Sequence, residues 1–128
     1  MTLIYRALHF TFEASGMPAS LLEDIAWLKE AMEDIVSLFG MTPIPGTETI
    51  AVKIEDNEKA WGSGVSIIIP LSDSHLALHT LSEKSHLYFD FFSCKPFPHT
   101  ELSWLLQRIF KPAWTRSGMV DRTITSVV

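Results

Sequence analysis

The chain has 128 residues, of which 47% are hydrophobic and 20% charged, and a formal net charge of −5. This composition describes one globular domain, residues 1–128, with enough apolar material for a core, and excludes a disordered or low-complexity chain. The acidic balance leaves no basic footprint for nucleic acid, the single cysteine excludes an internal disulfide framework and suits a reducing cytoplasm, and no apolar run nears the ~20 residues of a membrane span.

The N-terminus has no basic stretch ahead of an apolar core, so no secretory leader is expected. Residues 3 to 13 alternate, with Ile4, Leu8, Phe10 and Phe12 on one face and Arg6 interrupting it, which predicts a half-buried strand. Ser20-Leu21-Leu22-Glu23 has the form of a capping box. After it Leu21, Ile25, Leu28, Met32, Ile35 and Phe39 recur at gaps of four and three. That is one apolar stripe on a long helix, packed against a sheet and stopped by Gly40. Pro43, Pro45 and Gly46 form a loop, and Ile50, Val52 and Ile54 a second strand. Residues 55–64 are polar and turn-like around Trp61-Gly62-Ser63-Gly64.

Val65 to Pro70 is β-branched and reads as a strand covered on both faces. His75 to Thr80 and Leu87 to Phe92 are two more strands, the second rich in aromatics. Thr100 is the expected N-cap of a second helix whose apolar face is Leu102, Leu105, Leu106, Ile109 and Phe110. In the tail, residues 123–127 predict an edge strand. The order β-α-β-β-β-β-α-β, with short turns, favours an antiparallel sheet with two helices on one face: an α+β two-layer sandwich.

One stretch carries chemistry. Gly64-Val65-Ser66 opens an apolar run that ends in Asp73-Ser74-His75. His79-Thr80 and Glu83 follow, then Asp90 and Phe92-Ser93-Cys94. This resembles the bacterial and archaeal S-adenosylmethionine decarboxylases. Their pattern runs Gly-Val-Ser, an apolar run, Glu-Ser-His-Leu-x-x-His-Thr-x-x-Glu, then Asp-x-Phe-x-Cys, and order and spacing match over about a third of the chain. The resemblance implies an α+β two-layer fold that pairs two protomers, and a decarboxylase that depends on a pyruvoyl group.

An amino acid decarboxylase needs an electron sink for the carbanion left as carbon dioxide departs, and a pyruvoyl ketone is the built-in alternative to pyridoxal phosphate. The resemblance makes Ser74 its precursor. The Ser74 hydroxyl attacks the Asp73 carbonyl, the resulting ester eliminates, and hydrolysis leaves pyruvoyl at a new N-terminus, with residues 1–73 and 74–128 as products. That sequence needs an activated hydroxyl, a stabilised oxyanion and a base for the Cα proton. By resemblance Ser66 and His79 hold the self-processing positions, with His79 as the base. Cys94 holds the position of the acid that protonates the product carbon. Asp73 stands where the family has Glu, and Glu83 at a second carboxylate near the substrate. The implied substrate is S-adenosylmethionine, and the product an aminopropyl donor for polyamine synthesis in the cytoplasm.

The departures are specific. His79-Thr80-Leu81-Ser82-Glu83 replaces His-Thr-Trp-Pro-Glu, so Leu81 lacks an aromatic, and Trp61 is expected to compensate as a stacking surface in the substrate pocket. Tyr5-Arg6-Ala7 replaces Gly-Arg-His. A retained reactive set with an altered shell also fits the same chemistry on arginine or ornithine, or an unprocessed, non-catalytic homologue with a regulatory or binding role. Ser74 and His79 are an odd number of residues apart, which puts them on opposite faces of an ideal strand. The resemblance therefore requires a turn or bulge near Ser72 to Ser74. His75 and His79 share a face but lie ~13 Å apart at ~3.3 Å per residue, too far for one ion, so no metal site is expected. His86 and His99 are expected to be solvated. A homodimer is expected, because one sheet face is uncovered and the strand Leu87 to Phe92 offers apolar side chains to both faces.

Overall fold

Two-residue alternation decides which side chains enter the core, and six strands share one phase of it. The computed structural model describes residues 1–55 and 62–128. In chain order the elements are β1 (Thr2–Tyr5), β2 (Leu8–Ser15), α1 (Ala19–Leu22), α2 (Ile25–Leu38), β3 (Ile50–Ile54), β4 (Gly64–Leu71) and β5 (Ser74–Leu81). A 3-10 turn (Ser82–Lys84), β6 (His86–Ser93), α3 (His99–Phe110), β7 (Trp114–Asp121) and β8 (Ile124–Val127) follow. The main sheet has the order β3-β4-β5-β6-β2-β7, while β1 and β8 form a separate ribbon. Every pairing is antiparallel.

The inner face of the sheet presents Phe10 and Phe12 of β2, Val65, Ile67 and Ile69 of β4, Leu76 and Leu78 of β5, and Leu87, Phe89 and Phe91 of β6. Leu28, Met32 and Ile35 of α2 and Leu102, Leu106 and Phe110 of α3 pack onto it, all buried. This is the α+β two-layer sandwich read from the sequence. The predicted stripes fill one side of each helix, and Gly40, at φ +69°, ends α2 as expected. The outer face of the sheet carries Ser66, Ile68, His75, Ala77, His79, Tyr88, Asp90 and Phe92, and no described helix covers it.

Several expectations change. The first strand breaks at Arg6-Ala7, so Ile4 belongs to the ribbon and is exposed. The capping box does not form: α1 is a single turn, and α2 starts afresh with the Asp24 carboxylate accepting from the Trp27 amide at 3.1 Å. Glu23 instead accepts a hydrogen bond from the Ser82 hydroxyl at 2.9 Å, tying the helix junction to the 3-10 turn. Pro98, not Thr100, precedes the first turn of α3. β4 is covered on one face only, with Ile68 39% exposed on the other. The tail holds a full strand that the sequence reading missed, β7, paired along the whole of β2.

One buried hydroxyl couples the layers. Thr80 Oγ1 donates to the Leu22 carbonyl at 2.6 Å and accepts from the Val65 amide at 2.8 Å. A Cβ at Gly64 would lie 1.7 Å from the Thr80 carbonyl oxygen, so β4 and β5 approach here as only glycine permits. The near-isosteric Thr80→Val removes both hydrogen bonds while keeping the volume. We expect it to cost about 1–3 kcal/mol for each backbone group left unpaired, read as a lower urea midpoint with unchanged slope. A Thr80→Val protein as stable as wild type would show that the hydroxyl does not couple the layers.

Candidate functional site

Two small clusters form from the residues singled out in the sequence. Ser66 and His79 are directly opposed across β4 and β5, and Ser66 Oγ lies 2.9 Å from His79 Nδ1. With the proton on Nε2, the serine hydroxyl donates to Nδ1. The pair is exposed on the outer face of the sheet. The second cluster sits where β4 turns into β5. Ser72 and Asp73 form the two-residue turn, closed by the pair Leu71 and Ser74. Asp73 adopts φ +56°, a left-handed backbone that costs an ordinary residue about 1–2 kcal/mol but that Asp tolerates better than most.

Cys94, just past the end of β6, reaches this turn with two groups. Its thiol donates to the Asp73 carbonyl at 3.0 Å, and its backbone N–H donates to Ser74 Oγ at 3.2 Å. The carbonyl that Ser74 would attack therefore already has a hydrogen-bond donor where negative charge would develop. Asp73, Ser74, Cys94 and Lys95 border a cavity of about 290 Å³, with Met41 and Leu71 as its apolar wall. Among the described residues no imidazole or carboxylate hydrogen-bonds to Ser74 Oγ.

The two clusters do not meet within one protomer. Pairing from Ser66 and His79 to Leu71 and Ser74 runs without a bulge, so the expected turn exists but leaves Ser74 in phase with the inner face. His79 lies five residues further on the opposite face, ~17 Å along the strand at ~3.3 Å per residue. Glu83 is exposed on the 3-10 turn beyond β5 and packs beside Gly62. Trp61, expected in the pocket, lies outside the described residues.

The profile of the S-adenosylmethionine decarboxylase family matches residues 8–123. The chain belongs to that family. Among solved structures, an adenosylmethionine decarboxylase from Aquifex aeolicus VF5 shares the fold, with a TM-score of 0.70, 17% sequence identity, and coverage of 92% of this chain and 91% of that one. No protein of curated function matches the chain in sequence.

In this S-adenosylmethionine decarboxylase family member the outer face also carries a group that the sequence reading did not pick out. His9, Phe92 and His75 stand side by side on β2, β6 and β5. The two imidazole centres are 6.3 Å apart, and His75 stacks on Phe92 at 5.7 Å. Asp90 Oδ1 lies 3.6 Å from His9 Nε2, and the Arg122 guanidinium sits 5.2 Å over the Phe92 ring. Only strand pairing brings these residues together; nothing in their linear spacing marks them. His86, expected to be solvated, is half-buried. Its Nδ1 is 2.5 Å from Ser15 Oγ, and its Nε2 is 3.8 Å from Glu13, which pairs with Arg116 at 2.7 Å. His99 is exposed as expected.

Burial, then the neighbouring His9, holds the His75 pKa below its ordinary value of 6.5; Asp90 opposes the shift and Arg122 adds to it. The folded state thus binds this proton less tightly than the unfolded chain. The associated stability is fully present above pH 6.5 and is lost as pH falls from there through the lowered value. In an NMR titration the His75 ring should show a midpoint below 6.5, lowered further by Asp90→Asn and raised by Arg122→Gln. A midpoint at or above the ordinary value would overturn the assignment.

Proposed function

We propose that the chain is a self-cleaving proenzyme that becomes a pyruvoyl-dependent carboxy-lyase acting on S-adenosylmethionine. The observation that carries this reading is the Cys94 thiol on the Asp73 carbonyl, with Ser74 adjacent in a left-handed turn. A nucleophilic hydroxyl, a strained peptide unit and a donor at the developing oxyanion are what an acyl shift from nitrogen to oxygen needs. Cleavage after Asp73 also releases its left-handed backbone.

The base is the part that one protomer lacks. His79 and its Ser66 partner face outward on the uncovered side of the sheet, and we assign them to the Ser74 cluster of a second copy in a homodimer. Because Ser74 is in phase with the inner face, an isologous pairing would have to bring His79 of the partner subunit around the β4–β5 end of the sheet to reach it, and would do so twice by symmetry. The apolar outer residues Ile50, Val52, Ile54 and Ile68, each 39–52% exposed, are the material such an interface would bury.

The pyruvoyl group at position 74 would supply the electron sink for decarboxylation. Around it, Cys94 would deliver a proton to the product carbon once processing had freed its thiol from the Asp73 carbonyl. Glu83, beyond the far end of β5 from Ser74, would offer its carboxylate to a cationic substrate only from the partner subunit. The cavity bordered by Lys95, Met41 and Leu71 would receive the reacting end of the substrate. In this reading the product feeds polyamine synthesis in the cytoplasm. Leu81, half-buried where the family has an aromatic, favours arginine or ornithine as the second substrate reading.

Mass spectrometry after long incubation tests processing. Wild type should yield pieces of 73 and 55 residues (128 − 73), and Ser74→Ala should stay whole. Ser66→Ala and His79→Ala should also stay largely whole. Mixing Ser74→Ala with His79→Ala should restore cleavage of the His79→Ala chain alone, because only that chain keeps Ser74 and its partner keeps His79. Restoration fails if the base acts within one protomer. Carbon dioxide release from S-adenosylmethionine, arginine and ornithine then ranks substrates. A chain that stays whole for days and releases no carbon dioxide is the non-catalytic homologue.

A further inference from the structure

The helix layer, opposite the face bearing Ser66 and His79, holds a groove that the decarboxylase chemistry does not use. Two adjoining cavities, of about 380 and 580 Å³, run between α2 and α3 and share Leu38 and Leu105. The floor is apolar: Ile35 is buried, and Ala31, Leu105 and Ile109 are half-buried. Trp27 packs edge-on against Phe110 at 6.1 Å and closes one end, while Leu38 is 70% exposed towards the other. From Trp27 to Leu38 the groove is ~16 Å long at ~1.5 Å rise per residue, about three turns of a docked helix.

Its rim is anionic. Glu30 and Asp34 border one cavity and Glu101 the other, and no lysine or arginine lines either. None of the three carboxylates forms an ion pair with a described residue; Lys29 beside them lies 4.0 Å from Glu33. The arrangement is unfavourable for an isolated helix. Glu30 and Asp34 are like charges four residues apart, and Asp34 lies towards a C-terminal end that carries no basic residue in its last turn. A cation held above the groove would offset both penalties.

We propose that the α2–α3 groove is the docking site for a basic amphipathic helix of a partner protein. Apolar side chains at helical spacing would enter over Ile35, Leu105 and Ile109, and flanking Lys or Arg would meet Glu30, Asp34 and Glu101. The same carboxylates repel an anionic membrane surface. The site lies on the face away from the proposed homodimer contact, so it stands whether or not that contact forms.

The probe is a 15-residue Leu/Lys peptide of amphipathic helical pattern, titrated into the full-length isotope-labelled protein and followed by NMR. The controls are a scrambled peptide of equal composition and a Leu/Glu counterpart. The amphipathic Leu/Lys peptide should shift the Trp27 indole and the Ala31, Leu105 and Ile109 amides. Binding should weaken at least tenfold for the scrambled peptide and for the double variant Glu30→Gln/Asp34→Gln. Ala31→Arg, which fills the groove, should abolish it. The double variant changes only exposed side chains, so it decides the matter if Ala31→Arg does not fold. Shifts confined to other surfaces, equal binding of the scrambled peptide, or an unchanged affinity in the double variant would overturn the proposal. So would anionic vesicles that shift the same groove residues more strongly than the peptide.

Discussion

The pleat of β5 is the constraint on which the rest depends. Leu76, Leu78 and Thr80 enter the core from one face, while His75, Ala77 and His79 stand on the other. Sliding this strand by one residue would drive two imidazoles under the helices and expose two leucines, so its register is fixed by burial. Thr80 adds a directional lock, because its hydroxyl is hydrogen-bonded to both α1 and β4. A register held this firmly also fixes the separation of Ser74 from His79. While the strand stays paired, His79 stays on the face opposite Ser74, which is why the proposed chemistry looks to a second molecule for that imidazole.

The turn before β5 gives a physical account of one departure from the family pattern. Position 73 has a left-handed backbone, and Asp is one of the few residues with a side chain suited to it. Glu has no such advantage. The shorter carboxylate is thus compatible with the turn that presents the carbonyl to Cys94.

Much of this was legible in the sequence, for a definable reason. The apolar period found α2 and α3, because each packs one side against the core, and β-branched and aromatic runs found the strands β4, β5 and β6. It missed β7, where Arg116, Ser117 and Gly118 interrupt any apolar alternation and most of the strand is exposed. It misplaced the start of α2 because Glu23 serves Ser82, a partner 59 residues away, rather than its own helix. The candidate residues were named from a linear pattern, and the opposition of Ser74 and His79 followed from counting. The His9–Phe92–His75 row could not be found, since it exists only across two strand pairings. Nor could the link between the Cys94 thiol and the Asp73 carbonyl, which requires that β6 end beside the turn.

Strand order has a consequence for when a cut between Asp73 and Ser74 could happen. Residues 1–73 contain β1 to β4, and residues 74–128 contain β5 to β8. Four pairings, β1 with β8, β2 with β6, β2 with β7 and β4 with β5, would cross between the pieces, and β2 would be held between two strands of the other piece. The first piece alone would retain a two-stranded hairpin of β3 and β4, which is not a stable unit. A cut product would thus be an interleaved pair, assembled while the chain was still whole. Once denatured it would have to find itself again as two molecules, at a rate set by concentration. Topology would order the events: folding first, any cut second, and no easy way back.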